Sequence, residues 1–143
     1  MNALVDLRLC LLREIGNVKS DAGATKLAGA IRAYLTEKVP TGEFLAWVAE
    51  AEGQIVGAGG LIFLQKPPAD GNLSGQEAHI MNMYITPQWR GKGIGTALIN
   101  KIIESLKGTN AKRIRLHATE SGRSVYEKVG LISMTSEMEL TWG

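Results

Sequence analysis

A glycine-rich segment in the second half of the chain offers the clearest chemistry. Residues 85–96 read Ile-Thr-Pro-Gln-Trp-Arg-Gly-Lys-Gly-Ile-Gly-Thr, and an apolar-periodic helix follows directly. Glycine permits tight turns and close approach of a ligand to the backbone, and a helix start supplies unpaired N–H donors at the positive end of a dipole. The segment therefore predicts a site for a phosphate-bearing ligand. Arg90 and Lys92 either add charge to that site or are solvated surface residues.

Two other phosphate-binding signatures fit this spacing poorly. A P-loop needs Gly-x-x-x-x-Gly-Lys-Ser/Thr, whereas Gly91 is followed by Gly95 and no Lys-Ser/Thr pair stands at the required distance. A dinucleotide fingerprint needs Gly-x-Gly-x-x-Gly, but Thr96 occupies the place of the third glycine. The P-loop is excluded and a dinucleotide site is disfavoured.

The spacing that does match is Arg90-x-x-Gly93-x-Gly95, with Pro87 three residues earlier and a strand at Met81–Ile85. This pattern resembles the core motif of the GCN5-related N-acetyltransferase (GNAT) family, Gln/Arg-x-x-Gly-x-Gly/Ala. The order of strand, proline, loop and helix is also that of the family.

A second segment is similar to the same family. Residues 123–131 read Arg-Ser-Val-Tyr-Glu-Lys-Val-Gly-Leu and resemble the family signature Tyr-Glu-Lys-x-Gly-Phe, with Leu131 in the place of phenylalanine. Thr119 stands where the family often has an asparagine that contacts coenzyme A. The resemblance covers roughly Phe44 to the C-terminus, and the two leading helices agree with it.

The resemblance implies an enzyme that transfers the acetyl group of acetyl-CoA, its cosubstrate, to a primary amine of a small molecule or peptide by direct attack. It implies that the strand before the loop runs beside the pantetheine arm, with a backbone amide near Met83 or Tyr84 meeting the thioester oxygen. The cofactor-binding residues expected on this basis are Met83, Tyr84, Ile85, Arg90, Gly91, Lys92, Gly93, Ile94, Gly95, Thr96 and Thr119.

The resemblance makes Tyr126 the catalytic acid, which protonates the leaving sulfur. A phenol suits this role because its ordinary pKa lies near that of a thiol. For the base, strand alternation places Glu77, His79, Met81 and Met83 on one face, so Glu77 or His79 can take the ammonium proton, or either can be structural.

His117 ends the next strand and is a candidate substrate residue. No metal is expected, because two histidines without a third obvious ligand do not make a metal site.

Hydrophobic periodicity and turn residues predict the elements that must position these groups. The helices fall at Leu4–Ile15, from Ser20 or Asp21 to before Pro40, at Gly93–Lys107 and at Ser121–Val129. The strands fall at Phe44–Ala51, Ile55–Leu64, Glu77–Ile85, Lys112–Ala118 and Leu131–Trp142, with a hairpin at Glu52-Gly53 and a loop at Lys66–Gln76. Gly57, Gly59 and Gly60 indicate either a bulge or room for a substrate or helix.

This order predicts an α/β (α+β) fold with one mixed, mostly antiparallel sheet flanked by helices. The resemblance implies that this is the acyl-CoA N-acyltransferase fold of the GNAT family. The family begins with a strand before its first helix, whereas this chain starts almost at the helix. The first edge strand is therefore either absent or encoded upstream. An uncovered edge invites pairing with another chain, so we expect a homodimer.

Composition bounds the remaining possibilities. The 143 residues, 45% hydrophobic and 21% charged, suit a single domain over residues 1–143. A net charge of +2 without a basic tract argues against nucleic acid, and Asp6 and Arg8 interrupt the leucine-rich start, against a signal peptide or membrane span. Cys10 is the only cysteine, which fits a reducing, cytoplasmic compartment.

The alternative function is a coenzyme-A-binding sensor or partner module without catalysis. It would retain the glycines of residues 91–95, so the loop does not distinguish the two. Tyr126 favours the enzyme, because a binding module has no need of a proton donor there.

Overall fold

Two helices lead into the sheet of the computed structural model, which describes residues 1–134 and 136–143. Helix α1 spans Asn2–Glu14 and helix α2 spans Asp21–Thr41. The Ser20 hydroxyl caps α2 by accepting a hydrogen bond from the Gly23 N–H at 3.0 Å, as its residue type predicts.

The C-terminus of α2 differs from the sequence prediction. The expectation that α2 ends before Pro40 is wrong, because the helix includes Pro40 and ends at Thr41. In the last turn, proline costs a single backbone hydrogen bond, and the buried Leu35 and the partly buried Val39 hold this part of the helix against the core. The chain then turns at Gly42, whose φ of 78° is left-handed.

Four strands form one mixed sheet in the order β1-β2-β3-β4. Strands β1 (Phe44–Ala51), β2 (Gln54–Gln65) and β3 (Gln76–Ile85) pair antiparallel, and the short β4 (Ile114–Arg115) pairs parallel to β3. The β1–β2 hairpin turns through Glu52 and Gly53, both with positive φ, as predicted. The mixed, mostly antiparallel sheet is confirmed.

The second half of the chain supplies the remaining elements. A 3-10 turn at Pro87–Trp89 leads through the glycine loop into α3 (Ile94–Ser105), and α4 spans Arg123–Lys128. Strand β4 is two residues long, although residues 112–118 were expected to be extended.

The predicted last strand at Leu131–Trp142 is wrong for the residues that the structure describes, which form no strand there; Thr135 lies outside them. A strand needs a neighbour for its backbone hydrogen bonds, and the two-residue β4 offers a very short edge.

The helices cover both faces of the sheet. On one face, α1 and α2 bury Val5, Leu12, Ile31 and Leu35 against Phe44. On the other face, α3 and α4 form the larger core, which consists of Leu61, Ala78, Ile80, Ile99, Ile102, Leu106 and Tyr126. The sheet is thus sandwiched between two helical layers, and side chains alternate between them.

The glycines of β2 mark both a bulge and close packing. The β2–β3 register shifts between Ala58 and Gly60, so the bulge is confirmed. A side chain at Gly60 would collide with the Phe44 ring, and one at Gly59 with Ile102 of α3 and with Met83. Glycine is needed there because helix and ring approach the strand closely.

None of the helices in the described part of the chain is long and apolar enough to cross a membrane. Among the described residues, no strand pairs with the outer edge of β1.

Candidate active site

The two strands at one side of the sheet separate soon after they meet. Parallel pairing between β3 and β4 is limited to Ala78 with Ile114 and His79 with Arg115. Beyond His79 the edge of β3 is open on this side within the described residues. This opening leaves the backbone groups of β3 beyond His79 accessible to a bound molecule.

A bulge in β3 lies just beyond the opening. Asn82 has a φ of 60°, which is rare for a residue other than glycine, and neither Asn82 nor Met83 has a register partner on β2. Such bulges re-aim side chains and backbone groups, and they are frequent beside active sites.

The bulge corrects one sequence inference. Strict alternation places Met83 on the face of Glu77, His79 and Met81, but the extra residue reverses it. Met81 packs with the α1–α2 layer and Met83 with the α3 layer. Tyr84 is buried with Leu7 on the α1 side.

A cleft of about 970 Å³ lies beside the opening. Three of the predicted residues, His79, His117 and Tyr126, line it together. Its charged lining is mainly basic and consists of Lys112, Arg113, Arg115, Arg123, Glu127 and Glu137.

Tyr126 projects from α4 into this cleft and is otherwise buried. Burial raises the pKa of its phenol above the ordinary value. The phenol therefore stays protonated at neutral pH, as a proton donor must.

Glu77 lies at the start of β3 beside the cleft and is only 3% exposed. His79 Nε2 is 3.3 Å from its Oε1, Lys66 Nζ is 3.0 Å away and Arg115 Nε 3.2 Å away. Arg113 Nη1 lies 3.6 Å from Oε2. Burial by itself raises the pKa of Glu77, but the hydrogen bonds from Lys66 and His79 and the nearby charges outweigh it, so the pKa is lowered. Glu77 is thus held as a carboxylate.

The other residues expected near the substrate are placed differently. His117 is largely exposed at the cleft rim, where its Nε2 lies 4.0 Å from Oε2 of Glu137. The hydroxyl of Thr119 accepts a hydrogen bond from the Gly122 N–H at 3.2 Å and so shapes the turn into α4.

The glycine loop has the geometry of a phosphate site. Gly91 and Gly93 adopt φ of 76° and 85°, and no atom stands within 4 Å of where their side chains would be. Gly93 is the N-cap of α3, and no side chain caps this end. The first amides of α3, those of Ile94, Gly95 and Thr96, are therefore left for a ligand. Lys92 lies over the Trp89 ring.

Arg90 is anchored away from this loop. Its Nε donates to the Ile85 carbonyl at 2.9 Å, and both Nη atoms donate to the Glu14 carboxylate of α1. Its role in cofactor binding stays a prediction.

Sequence reasoning missed Glu14, Lys66 and Arg115, although each contacts a predicted site residue. For Arg115 a signal exists in the basic run Lys112-Arg113-Ile114-Arg115, which alternates charge across a short strand. Glu14 carries no local signal, since its partner lies 76 positions along the chain.

An acetyl-CoA molecule suits these features: open glycines and free helix amides for a pyrophosphate, and an opened strand edge for an extended arm. Comparison with known proteins agrees. A sequence model of the acetyltransferase (GNAT) family matches residues 17–131.

Relatives match nearly the whole chain. It is 29% identical to a glucosamine 6-phosphate N-acetyltransferase of Trypanosoma brucei brucei, with 98% of this chain and 99% of that protein covered. Its fold is similar to that of a predicted acetyltransferase from Clostridium acetobutylicum crystallised with acetyl-CoA (29% identity, TM-score 0.84, 98% of this chain and 88% of that chain). A GCN5-related N-acetyltransferase from Ralstonia eutropha is 27% identical with a TM-score of 0.87, and the match covers 99% of this chain and 91% of that chain. The chain belongs to the GNAT acetyltransferase family and is an acetyl-CoA-dependent N-acyltransferase.

Proposed function

We propose that this protein acetylates a primary amine of a small molecule or peptide by direct attack of the amine on acetyl-CoA. Tyr126 and His79 both line the cleft beside the open edge of β3, and this observation carries the proposal. Acetyl-CoA supplies a thioester carbon, to which the amine nitrogen bonds while the carbon–sulfur bond breaks.

His79 is the base in this proposal. When its Nε2–H donates to Glu77, the imidazole is held in one orientation and Nδ1 remains free to take the ammonium proton. Glu77 acts through His79, because its Oε1 is engaged by Lys66 and Arg115 and its Oε2 lies 3.6 Å from Arg113.

Tyr126 gives its phenolic proton to the leaving sulfur. The backbone amides at the β3 bulge, at Met83 or Tyr84, donate to the carbonyl oxygen as charge develops there. The amides of Arg90–Thr96, with Lys92 nearby, hold the pyrophosphate.

Direct attack is favoured over an acetylated thiol on the protein. Cys10 is the only cysteine of the sequence, and it lies exposed on α1 rather than among the described residues that line the cleft.

The charge of the cleft supports an acceptor that carries an anionic group besides its amine. Four cationic residues and two carboxylates line it, and Glu77 balances one more of these charges through Arg113 and Arg115. A net positive charge remains, which attracts anions. The trypanosomal relative is named for an amino sugar phosphate, and we propose this class of acceptor.

The experiment is thiol release from acetyl-CoA in the presence of paired amines, such as glucosamine and glucosamine 6-phosphate, with amino acids, polyamines, aminoglycosides and peptides as a wider panel. We expect amine-dependent release, a preference for the phosphorylated partner, and full retention of the rate in Cys10→Ser. Tight binding of coenzyme A without release for any amine would instead support a sensor module.

We also propose a homodimer through the outer edge of β1, since exposed edges pair readily. A monomeric mass by light scattering at working concentration contradicts it. A cytoplasmic location stays a prediction.

A further inference from the structure

Arg90, although it opens the glycine loop, uses its side chain to bind protein. Its Nη1 and Nη2 donate to Oε1 and Oε2 of Glu14 at 2.9 and 2.8 Å. Its Nε donates to the Ile85 carbonyl at 2.9 Å, and its guanidinium carbon lies 5.1 Å from the centre of the Tyr84 ring. One side chain thus joins the end of α1, the end of β3 and the start of the loop.

The pairing with Glu14 has the two parallel bonds that make arginine–carboxylate contacts strong and directional. Both side chains are about one-third exposed, so the contact is screened only in part. The hydrogen bond from Arg90 lowers the pKa of Glu14, so the contact favours the ionised carboxylate.

The loop that follows needs such an anchor. Gly91 and Gly93, on either side of Lys92, have open space beside them, and glycine has more conformational freedom than any other residue. If such a loop becomes ordered only when a ligand binds, the loss of conformational entropy weakens binding. A loop that is already ordered in the free protein avoids this loss.

We propose that Glu14 is a positioning residue for the donor: by holding Arg90 it keeps the loop of residues 90–96 in the conformation whose amides receive the pyrophosphate of acetyl-CoA. The inference rests on the proposed function. It makes α1 a determinant of donor affinity although, in the described part of the chain, no hydrogen bond joins α1 to the first amides of α3.

A competing arrangement predicts the opposite change in donor affinity when Glu14 is replaced. If Arg90 instead leaves Glu14 to bind a phosphate, Glu14 is a competitor, and its removal should leave donor affinity unchanged or raise it. Under the proposal, removal of the carboxylate lowers the affinity.

The test uses Glu14→Gln, which is nearly isosteric, and Arg90→Lys, which keeps the charge but loses the fork. Calorimetric titration with coenzyme A should show an affinity about 10-fold weaker for each variant, and KM for acetyl-CoA should rise while kcat changes less than about 3-fold. The double variant should bind no more weakly than Arg90→Lys alone, since Glu14 acts only through Arg90 in this proposal. Amide exchange at residues 91–96 of the free protein should rise in Glu14→Gln.

The matched control is Glu104→Gln, because Glu104 is exposed on α3 and makes no ion pair within the described residues. It should bind coenzyme A like the unsubstituted protein. Unchanged or tighter binding in Glu14→Gln, or additive effects in the double variant, overturns the positioning role. Failure of the unsubstituted protein to bind coenzyme A overturns the proposed function instead.

Discussion

His79 Nε2 lies 3.3 Å from Oε1 of Glu77, two residues earlier on β3. Residues two apart on a strand share a face, so the contact follows from local geometry alone. What local geometry does not supply is the setting: Glu77 is almost fully buried, and Lys66, Arg113 and Arg115 surround it. The carboxylate is therefore both a partner of the imidazole and a counter-charge for the cations of the cleft.

Glu77→Gln should lower stability and activity together. At pH 7 we expect a loss of about 1–3 kcal/mol in the free energy of unfolding, because the amide leaves Lys66 and Arg115 without a counter-charge. We also expect a lower kcat, because His79 loses its orienting partner. Urea denaturation and initial rates measure the two effects, with Glu104→Gln as the exposed control for the same charge change.

The pH dependence of the Glu77 effect has a definite sign. The pKa of Glu77 is lower in the folded protein than in the unfolded chain, so its contribution is present above the unfolded value of about 4.3 and is lost as the pH falls through the folded pKa. The stability curves of the original protein and Glu77→Gln should therefore draw together only as the pH falls below the unfolded value and on through the lower folded pKa. A gap that does not narrow as the pH falls below about 4.3 would mean that the loss comes from packing rather than charge.

Tyr126→Phe should lower kcat by about 100-fold and leave the affinity for coenzyme A nearly unchanged, because only the proton donor is removed. Burial raises the pKa of Tyr126, so the rate should decline only when the pH rises above about 10 and the phenol loses its proton. Stopped-flow thiol release and calorimetry separate the two effects. An unaltered rate would remove Tyr126 from the mechanism.

Gly93 and Gly108 form a matched pair for testing the phosphate loop. Both have φ of 85° and open space beside them. Replacing either by alanine should therefore lower the free energy of unfolding by about 1 kcal/mol. Gly93→Ala should in addition weaken coenzyme A binding, because its methyl group stands beside the amides of α3, whereas Gly108→Ala should not. Thermal denaturation and calorimetry provide the comparison, and equal binding by both variants would argue against the loop as the phosphate site.

The close packing of β2 gives a prediction about stability alone. Gly60→Ala places a methyl group against the Phe44 ring and should destabilise the protein by about 1–3 kcal/mol. Gly29, inside α2, has open space beside it, so Gly29→Ala should be neutral or stabilising. Chemical denaturation of both variants measures the difference, and equal effects would mean that the ring moves aside.

Local sequence signals determined much of this protein. The hairpin at Glu52-Gly53, the cap at Ser20 and the glycine loop before α3 each depend on residues within a few positions of one another, because turn conformation and helix starts are governed locally. The spacing of Arg90, Gly93 and Gly95, together with Tyr126, was sufficient to point to the family.

Tertiary structure decided what depends on distant partners. The bulge at Asn82 turned Met83 to the opposite face, and the last strand expected at 131–142 is not formed by the described residues, since strand formation requires an edge to pair with. The hydrogen bonds that Arg90 donates to Glu14 join residues 76 positions apart, and the charges around Glu77 come from a loop and another strand. The sequence by itself determined the glycine loop and its spacing, whereas only the packing of separate elements decided which charges surround it, because electrostatic contacts depend on distance in space and not on position in the chain.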